Sequence, residues 1–247
     1  MKLTPYKTPV VHTHDNLEDI LRGAISALPE RSVLVITSKI IALAEGAVVP
    51  KVTGTKEEQH AVVKAEAEQY IDPSESKYNA MLAIRHDILS VNAGVDMSNA
   101  GNQYVLLPQH PYASAAQIWE WVRREFNVKE VGVLITDSKT FPLKWGTMGT
   151  ALAHAGFKGI RNMIGQKDLF GHEMSMTQVN IAEGLAASAV FTMGEVAEQT
   201  PLCIIEDIPQ IEFQDHAPTP EEIADLHIAI ADDVYAPLLT SAPWRKK

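Results

Sequence analysis

The chain has 247 residues, 46% of them apolar, a formal net charge of −10 and one cysteine. That length and composition describe a globular chain with enough sequence to bury a core, as one large domain or two small ones, and exclude an intrinsically disordered one. An acidic chain without a long basic run is poorly suited to nucleic acid or anionic membranes; no apolar run reaches the roughly 20 residues of a bilayer span; and the lone Cys203 forms no internal disulfide and fits a reducing cytoplasm.

In chain order, Asp15 with Glu18 three residues on predicts a helix start, and Leu17, Ile20, Leu21, Ala24, Ile25 and Leu28 form its apolar stripe up to Pro29. Residues 33–37 read as a compact strand and residues 46–49 as a second. Thr55 with Glu58 opens a polar helix over 56–70, followed by a loop at 72–76. The run Ile88-Leu89-Ser90-Val91 breaks into Asn92, Gly94, Asp96, Ser98 and Asn99. A strand over 104–107 stops at Pro108, and a helix over 113–126 carries Ile118, Trp119, Val122 and Phe126 on its apolar side. Residues 131–136 form the clearest buried strand, ending in a polar turn over 137–140. A helical stretch over 147–154, a glycine-rich connector to Gly165, a long helix over 177–193 and a strand over 202–205 follow. Thr219-Pro220-Glu221-Glu222 starts a final helix, with Thr as N-cap and Pro at its first position. The mixture predicts an α/β (mixed α+β) fold of mixed sheets flanked by helices, with residues 1–215 as the catalytic unit and 216–247 as a C-terminal helical extension.

Four polar junctions carry the candidate chemistry. Asp96, after a glycine and before Ser98 and Asn99, offers a hard oxygen ligand at a strand-to-loop junction; the same residue types also cap turns, and Gly94 supplies a positive φ. Asp137-Ser138 follows the strand over 131–136, and ligands gather outside the carboxyl ends of strands in open α/β sheets; a cap or turn is the plainer reading. Ser38-Lys39 puts a point charge at a strand end, where it could meet phosphate or merely solvent. Glu195, in Met193-Gly194-Glu195, lies against a helix C-terminus, an unfavourable place for an acid. Lys139, Lys144 and Arg161 are further candidates for phosphate or carboxylate. His12-Thr13-His14 would put two imidazoles on one strand face, but no third zinc ligand stands out. The tail Arg245-Lys246-Lys247 reads as solvated. Phosphate-loop, dinucleotide-binding and nucleophile-elbow motifs are absent. Three carboxylates and a lysine at element ends suit a metal-bridged phosphoryl site.

The blocks VLVITSKIIALAEG, VNAGVDMSN, LLPQHPYASA, VGVLITDS, GTMGTALAHAGFKGIRNMIGQKDLFGHEM and FTMGE occur in the order seen in the coenzyme F-420 gamma-glutamyl ligases, and the chain resembles that family over about residues 5–210. The resemblance implies addition of L-glutamate to a deazaflavin precursor with GTP and two divalent ions, Mg²⁺ or Mn²⁺, in an intertwined homodimer unrelated to the usual amide-ligase folds. It implies Asp96 and Asp137 as ligands of one metal and Ser138 and Glu195 of the second. It implies Ser38, Lys39 and Asn99 as nucleotide contacts, Pro9, Val10, Val11 and His12 near the base, and Met193, Gly194, Val196, Ala197, Glu198, Gln199 and Thr200 wrapping the nucleotide. Asp96, Asp137 and Lys39 then form the catalytic set, and the partners are small molecules, with neither nucleic acid nor membrane involved. Leu43 stands where the family carries a second lysine, and Lys139-Thr140-Phe141-Pro142-Leu143-Lys144 where it reads Phe-Gly-Arg-Pro-Trp-Arg. Two alternatives follow: a related ligase with another acceptor or nucleotide, and a scaffold that binds a nucleotide or deazaflavin without turnover.

Overall fold

The computed structural model describes residues 1–246; Lys247, the last residue of the basic tail, lies outside the described residues. The chain runs β1 (Lys2–Tyr6), α1 (Leu17–Ala24), β2 (Ser32–Thr37), α2 (Ser38–Glu45), β3 (Val48–Pro50), α3 (Lys56–Glu66), β4 (Gln69–Tyr70), β5 (Leu82–Arg85), β6 (Ile88–Val91), β7 (Gln103–Val105) and α4 (Pro111–Glu125). It continues through β8 (Val131–Thr140), β9 (Thr147–Ala155), β10 (Ile160–Asn162), β11 (Gln178–Asn180), α5 (Ile181–Met193), β12 (Leu202–Glu206), α6 (Pro220–Ala224), α7 (Ala236–Leu239) and β13 (Arg245–Lys246). This is the mixed α/β architecture the sequence predicts.

The principal sheet has the order β1-β12-β2-β8-β9, with β2 and β8 parallel and the other pairs antiparallel. Helices cover both faces, so β2 reads as a continuous apolar run and not as an alternating one. Leu34, Ile36, Val133 and Ile135 pack with Leu21 of α1, Ile25 just after it, and Ile118, Trp119 and Val122 of α4. Val33, Val35, Leu134 and Cys203 point the other way, onto Leu185, Ala186, Ala189 and Val190 of α5. Alpha5 lies close on β9 because Gly149 has no side chain: a Cβ there would stand 2.5 Å from the Ala186 carbonyl oxygen. A second sheet, β13-β4-β5-β6, and the pair β3-β7 enclose a smaller core that includes Val63, Met81, Ala83 and Tyr104. Among the described residues, no helix is long and apolar enough to cross a membrane.

Several local expectations are corrected. The polar residues 137–140 are not a turn but the continuation of β8, paired residue by residue with Thr147–Thr150 of β9. Residues 147–154 are not helical but form β9, with a bulge opposite Ile135 and Thr136. Local helix propensity yields here to the ladder hydrogen bonds that a neighbouring strand supplies. The helix expected over 56–70 ends at Glu66, and Gln69–Tyr70 turn into β4. The first helix is capped by Asn16, whose side chain accepts from the Asp19 N–H, while Asp15 accepts from the His12 N–H instead. The last long helix begins at Ile181, capped by Asn180 and preceded by β11. His12 and His14 lie outside any strand, His14 at φ 67°. Thr219 and Glu222 do form the expected capping box. Arg245 is not merely solvated: its guanidinium sits 2.6 Å from Asp72 as β13 joins β4.

Candidate functional site

The parallel strands β2 and β8 end side by side, Thr37 opposite Thr136, and both are followed by polar residues. After β2 the chain turns directly into α2, with Ser38 and Lys39 in its first turn. No side chain caps this helix start, so backbone N–H groups stay available to an anion. After Thr136, Asp137 and Ser138 continue outward on β8. The Ser38 hydroxyl reaches Asp137 Oδ1 at 3.5 Å, a long contact across the two strand ends.

The third contributor is the break after β6. Asn92, Ala93 and Gly94 all have positive φ, of 57°, 51° and 71°. Gly94 is required for space as well as for φ, since a Cβ there would lie 2.6 Å from Leu107. The segment is therefore a true turn, and the turn aims Asp96 at α2. Asp96 is pinned to Val105 by paired backbone hydrogen bonds of 2.9 Å, and Ser98 folds back to donate its N–H (2.8 Å) and hydroxyl (2.9 Å) to the carboxylate. Lys39 Nζ stands 2.5 Å from Asp96 Oδ2 and donates to the Ser98 carbonyl oxygen at 2.9 Å. Ser98 thus orients both groups. The Asp-x-Ser spacing, which favours a side chain bonding its own backbone two residues on, is the signal that could have flagged it.

The fourth contributor follows α5. Glu195 accepts from the Ser138 hydroxyl on both carboxylate oxygens, at 3.0 and 2.9 Å. The 193–200 loop closes on itself: Thr200 donates to the Met193 carbonyl, and Glu198 accepts from the Val196 N–H at 2.8 Å. Gln199 accepts from the Thr8 N–H at 3.2 Å, which holds the segment leading to Pro9, Val10, Val11 and His12 beside this loop. Asn99 Nδ2 donates to the Val196 carbonyl oxygen at 2.7 Å.

The electrostatics separate the two aspartates. Burial alone would push the Asp96 carboxyl up, but the Lys39 ammonium and the Ser98 donors outweigh it and hold Asp96 below its usual range. Burial pushes the Asp137 carboxyl up to about 6, and the Asp96 charge adds to the rise against the Ser138 N–H, Lys39 and Ser38. Nearby, the buried Thr136 hydroxyl has no hydrogen-bond partner among the described residues.

Could this site hold divalent ions? Among the described residues, no three acidic, histidine or cysteine side chains gather around one point. The arrangement instead offers two sets of oxygens: Asp137, which feels the Asp96 charge, and Ser138, whose hydroxyl meets Glu195, the two sets sharing the consecutive β8 residues Asp137 and Ser138. The Lys39 ammonium already sits against Asp96 as a cation would. Asp137 is costly to ionise beside Asp96 unless more positive charge arrives. An all-oxygen set with few protein ligands matches Mg²⁺ or Mn²⁺, which keep water and substrate phosphate oxygens as their remaining ligands.

The other candidates bond to groups outside this set or stay exposed. Lys139 Nζ is 3.9 Å from Glu183, whose carboxylate also accepts from Thr150 at 2.8 Å; neither of these partners was foreseen. Lys144 is exposed in the 141–146 loop. Arg161 lines a separate polar cavity of about 830 Å³ with His154, Lys158, Gln210 and Glu222, the last being the capping-box residue of α6. Cys203 is fully buried, and burial pushes its thiol up to about 11, as suits an inert core residue.

A family model described as F420-0:gamma-glutamyl ligase matches residues 5–207. The chain is 32% identical over 214 residues to a protein named coenzyme F420:L-glutamate ligase from Methanosarcina mazei, covering 82% of this chain and 84% of that relative. It is 34% identical over 167 residues to the protein of that name from Methanocaldococcus jannaschii, covering 68% of this chain and 66% of the relative. Against the Methanococcus maripaludis (strain C7) protein of the same name it is 40% identical over 131 residues, 53% of this chain and about half (52%) of the relative's length.

Proposed function

Because the chain belongs to the F420-0:gamma-glutamyl ligase family, we propose that it is an amide-forming ligase that joins L-glutamate to a carboxylate acceptor, a coenzyme F420 precursor or a related compound, with GTP as co-substrate. The observation that carries this reading is the meeting of the α2 start, Lys39, Asp96, Asp137, Ser138 and Glu195 at the ends of β2 and β8. None of these groups is an activated side-chain nucleophile, so the acyl group must be activated by the nucleotide. The acceptor carboxylate attacks the γ-phosphorus, the bond to the β-phosphate oxygen breaks, and an acyl phosphate and GDP form. The glutamate amine then attacks the acyl carbon, phosphate leaves, and the amine proton is lost to solvent or phosphate.

The protein's share is positioning and charge neutralisation. The free N–H groups of α2 and the Lys39 ammonium face the phosphates, and Ser38 sits at the same helix start. Pro9, Val10, Val11 and His12 face the base while Met193, Gly194 and residues 196–200 fold over the nucleotide. Asp96 and Asp137 would hold one Mg²⁺ or Mn²⁺, and Ser138 and Glu195 a second. Bound there, the ions supply positive charge that offsets the repulsion between an anionic acceptor and the triphosphate. Leu143, Trp145, Leu169, Phe170, Met176 and Phe191, each at least 83% exposed, are apolar surface that a second copy of the chain would cover, in support of a homodimer.

A second reading keeps the reaction and changes the acceptor. It is favoured by Lys139, which lies one residue beyond Ser138 and pairs with Glu183, placing an unexpected pair of charges next to the site. One experiment separates the readings. The full chain is incubated with L-glutamate, Mn²⁺ or Mg²⁺, a deazaflavin carboxylate or other carboxylates, and GTP or ATP separately, with products read by mass spectrometry. The expected result is an acceptor heavier by one glutamyl residue, with GDP formed in equal amount. Nucleotide binding without nucleoside diphosphate under every acceptor would leave only a binding scaffold.

A further inference from the structure

Asn99 does something other than wait for a ligand. It lies three residues after Asp96, in the left-handed region at φ 51°, which asparagine tolerates better than most residues. Its carboxamide Nδ2 donates to the Val196 carbonyl oxygen at 2.7 Å, across 97 positions of chain. Val196 directly follows Glu195. The bond therefore joins the loop that carries Asp96 to the loop that carries Glu195. Each side of this clasp is stiff in its own right: Ser98 holds Asp96, while Glu198 and Thr200 close the 193–200 loop internally. Among the described residues two outside side chains bond to that loop, Asn99 to Val196 and Ser138 to both oxygens of Glu195, beside the backbone bond from Thr8 to Gln199. The Ser138 bond belongs to the oxygen pair itself and would be given up if Glu195 turned to a cation. The Asn99 bond uses a backbone carbonyl and survives that change.

We propose that Asn99 is a positioning residue whose bond to Val196 holds the Asp96 and Glu195 loops at a fixed separation, and so makes the two oxygen pairs one binuclear site. The inference rests on the metal reading given above. Groups that orient ligands without touching the metal typically change affinity by about 10–100-fold when removed.

The test uses the full chain without nucleotide. Asn99→Gly deletes the clasp and keeps the left-handed backbone. Mn²⁺ binding is followed by calorimetry and electron paramagnetic resonance, with a thermal melt as a folding control. The wild type is expected to bind two ions with spectra broadened by coupling between them. In Asn99→Gly the second ion is expected to bind at least about tenfold more weakly, the first to stay within about threefold, and the coupling to diminish. Equal affinities and unchanged coupling in the variant sink the clasp alone; a wild type that binds no Mn²⁺ sinks the metal reading with it. Should Asn99→Gly melt far below the wild type, Asn99→Asp keeps the shape while replacing the donor with an acceptor that faces a carbonyl. Hydrogen exchange of its metal-free form is then expected to be faster at residues 195–199 and unchanged at 92–98. Exchange at wild-type rates over 195–199 overturns the inference.

Discussion

Asp137 makes the most exposed prediction, because a single shifted proton should govern how the site takes up metal. Its carboxyl titrates at about 6, raised by burial and then by the Asp96 charge. A carboxylate must lose its proton to become a ligand. At pH 7 Asp137 is about 90% ionised and at pH 5 about 10%, whereas an ordinary carboxyl near 3.8 stays more than about 90% ionised at both. The apparent dissociation constant for Mn²⁺ should therefore rise about tenfold from pH 7 to pH 5, equivalent to about 1.4 kcal/mol. The sign follows from the raised pKa: the metal-free folded state binds more protons than the unfolded chain between about 3.8 and 6, so it loses stability as pH rises through that window, and bound metal offsets the loss. Asp96 is shifted the other way and stays charged throughout. Calorimetric Mn²⁺ titrations at pH 5, 6 and 7, with Asp137→Asn as the control, measure the effect. The variant should bind weakly, with no inflection near pH 6. A wild-type affinity flat from pH 7 to pH 5 refutes the reasoning, since it would mean that Asp137 either is ionised all along or takes no part.

Three further outcomes follow from other groups. Lys39→Met should tighten Mn²⁺ binding in the absence of nucleotide, because the ammonium 2.5 Å from Asp96 no longer competes, and should weaken nucleotide binding at least tenfold; loss of both affinities together contradicts a competing role. His154, 2% exposed, is held neutral by burial down to about pH 4 against an ordinary 6.5, so the unfolded chain binds the extra proton. His154 should contribute a loss of about 3 kcal/mol as pH drops from about 6.5 towards 4, read from urea unfolding as the pH dependence of the difference between wild type and His154→Leu; a difference that stays constant with pH refutes it. Gly149→Ala should lower the melting temperature, at a cost of about 1–3 kcal/mol, because the new Cβ meets the Ala186 carbonyl at 2.5 Å and Val190 at 2.6 Å; a wild-type melting temperature would mean that α5 does not press on β9 as described.

The sequence by itself determined what local chemistry can determine. The run Val33-Leu34-Val35-Ile36 has the length and β-branched content of a buried strand, Thr55 and Thr219 cap the helices their following residues announce, and Gly94 among small polar residues marks a break after Val91, whereas the positive φ of Ala93 is not written in its residue type. The polar junctions at Lys39, Asp96, Asp137 and Glu195 were legible for the same reason, as breaks in apolar pattern. Only the tertiary structure decided whether those breaks meet. It turned residues 137–140 and 147–155 into paired strands, against local polarity in the first and helix propensity in the second. It matched Ser138 with Glu195 and Asn99 with Val196 across 57 and 97 positions. Strand pairing and cross-loop hydrogen bonds depend on which distant segment arrives alongside, and that choice is made by burial of both faces of the sheet beneath α4 and α5, which no window of neighbouring residues contains.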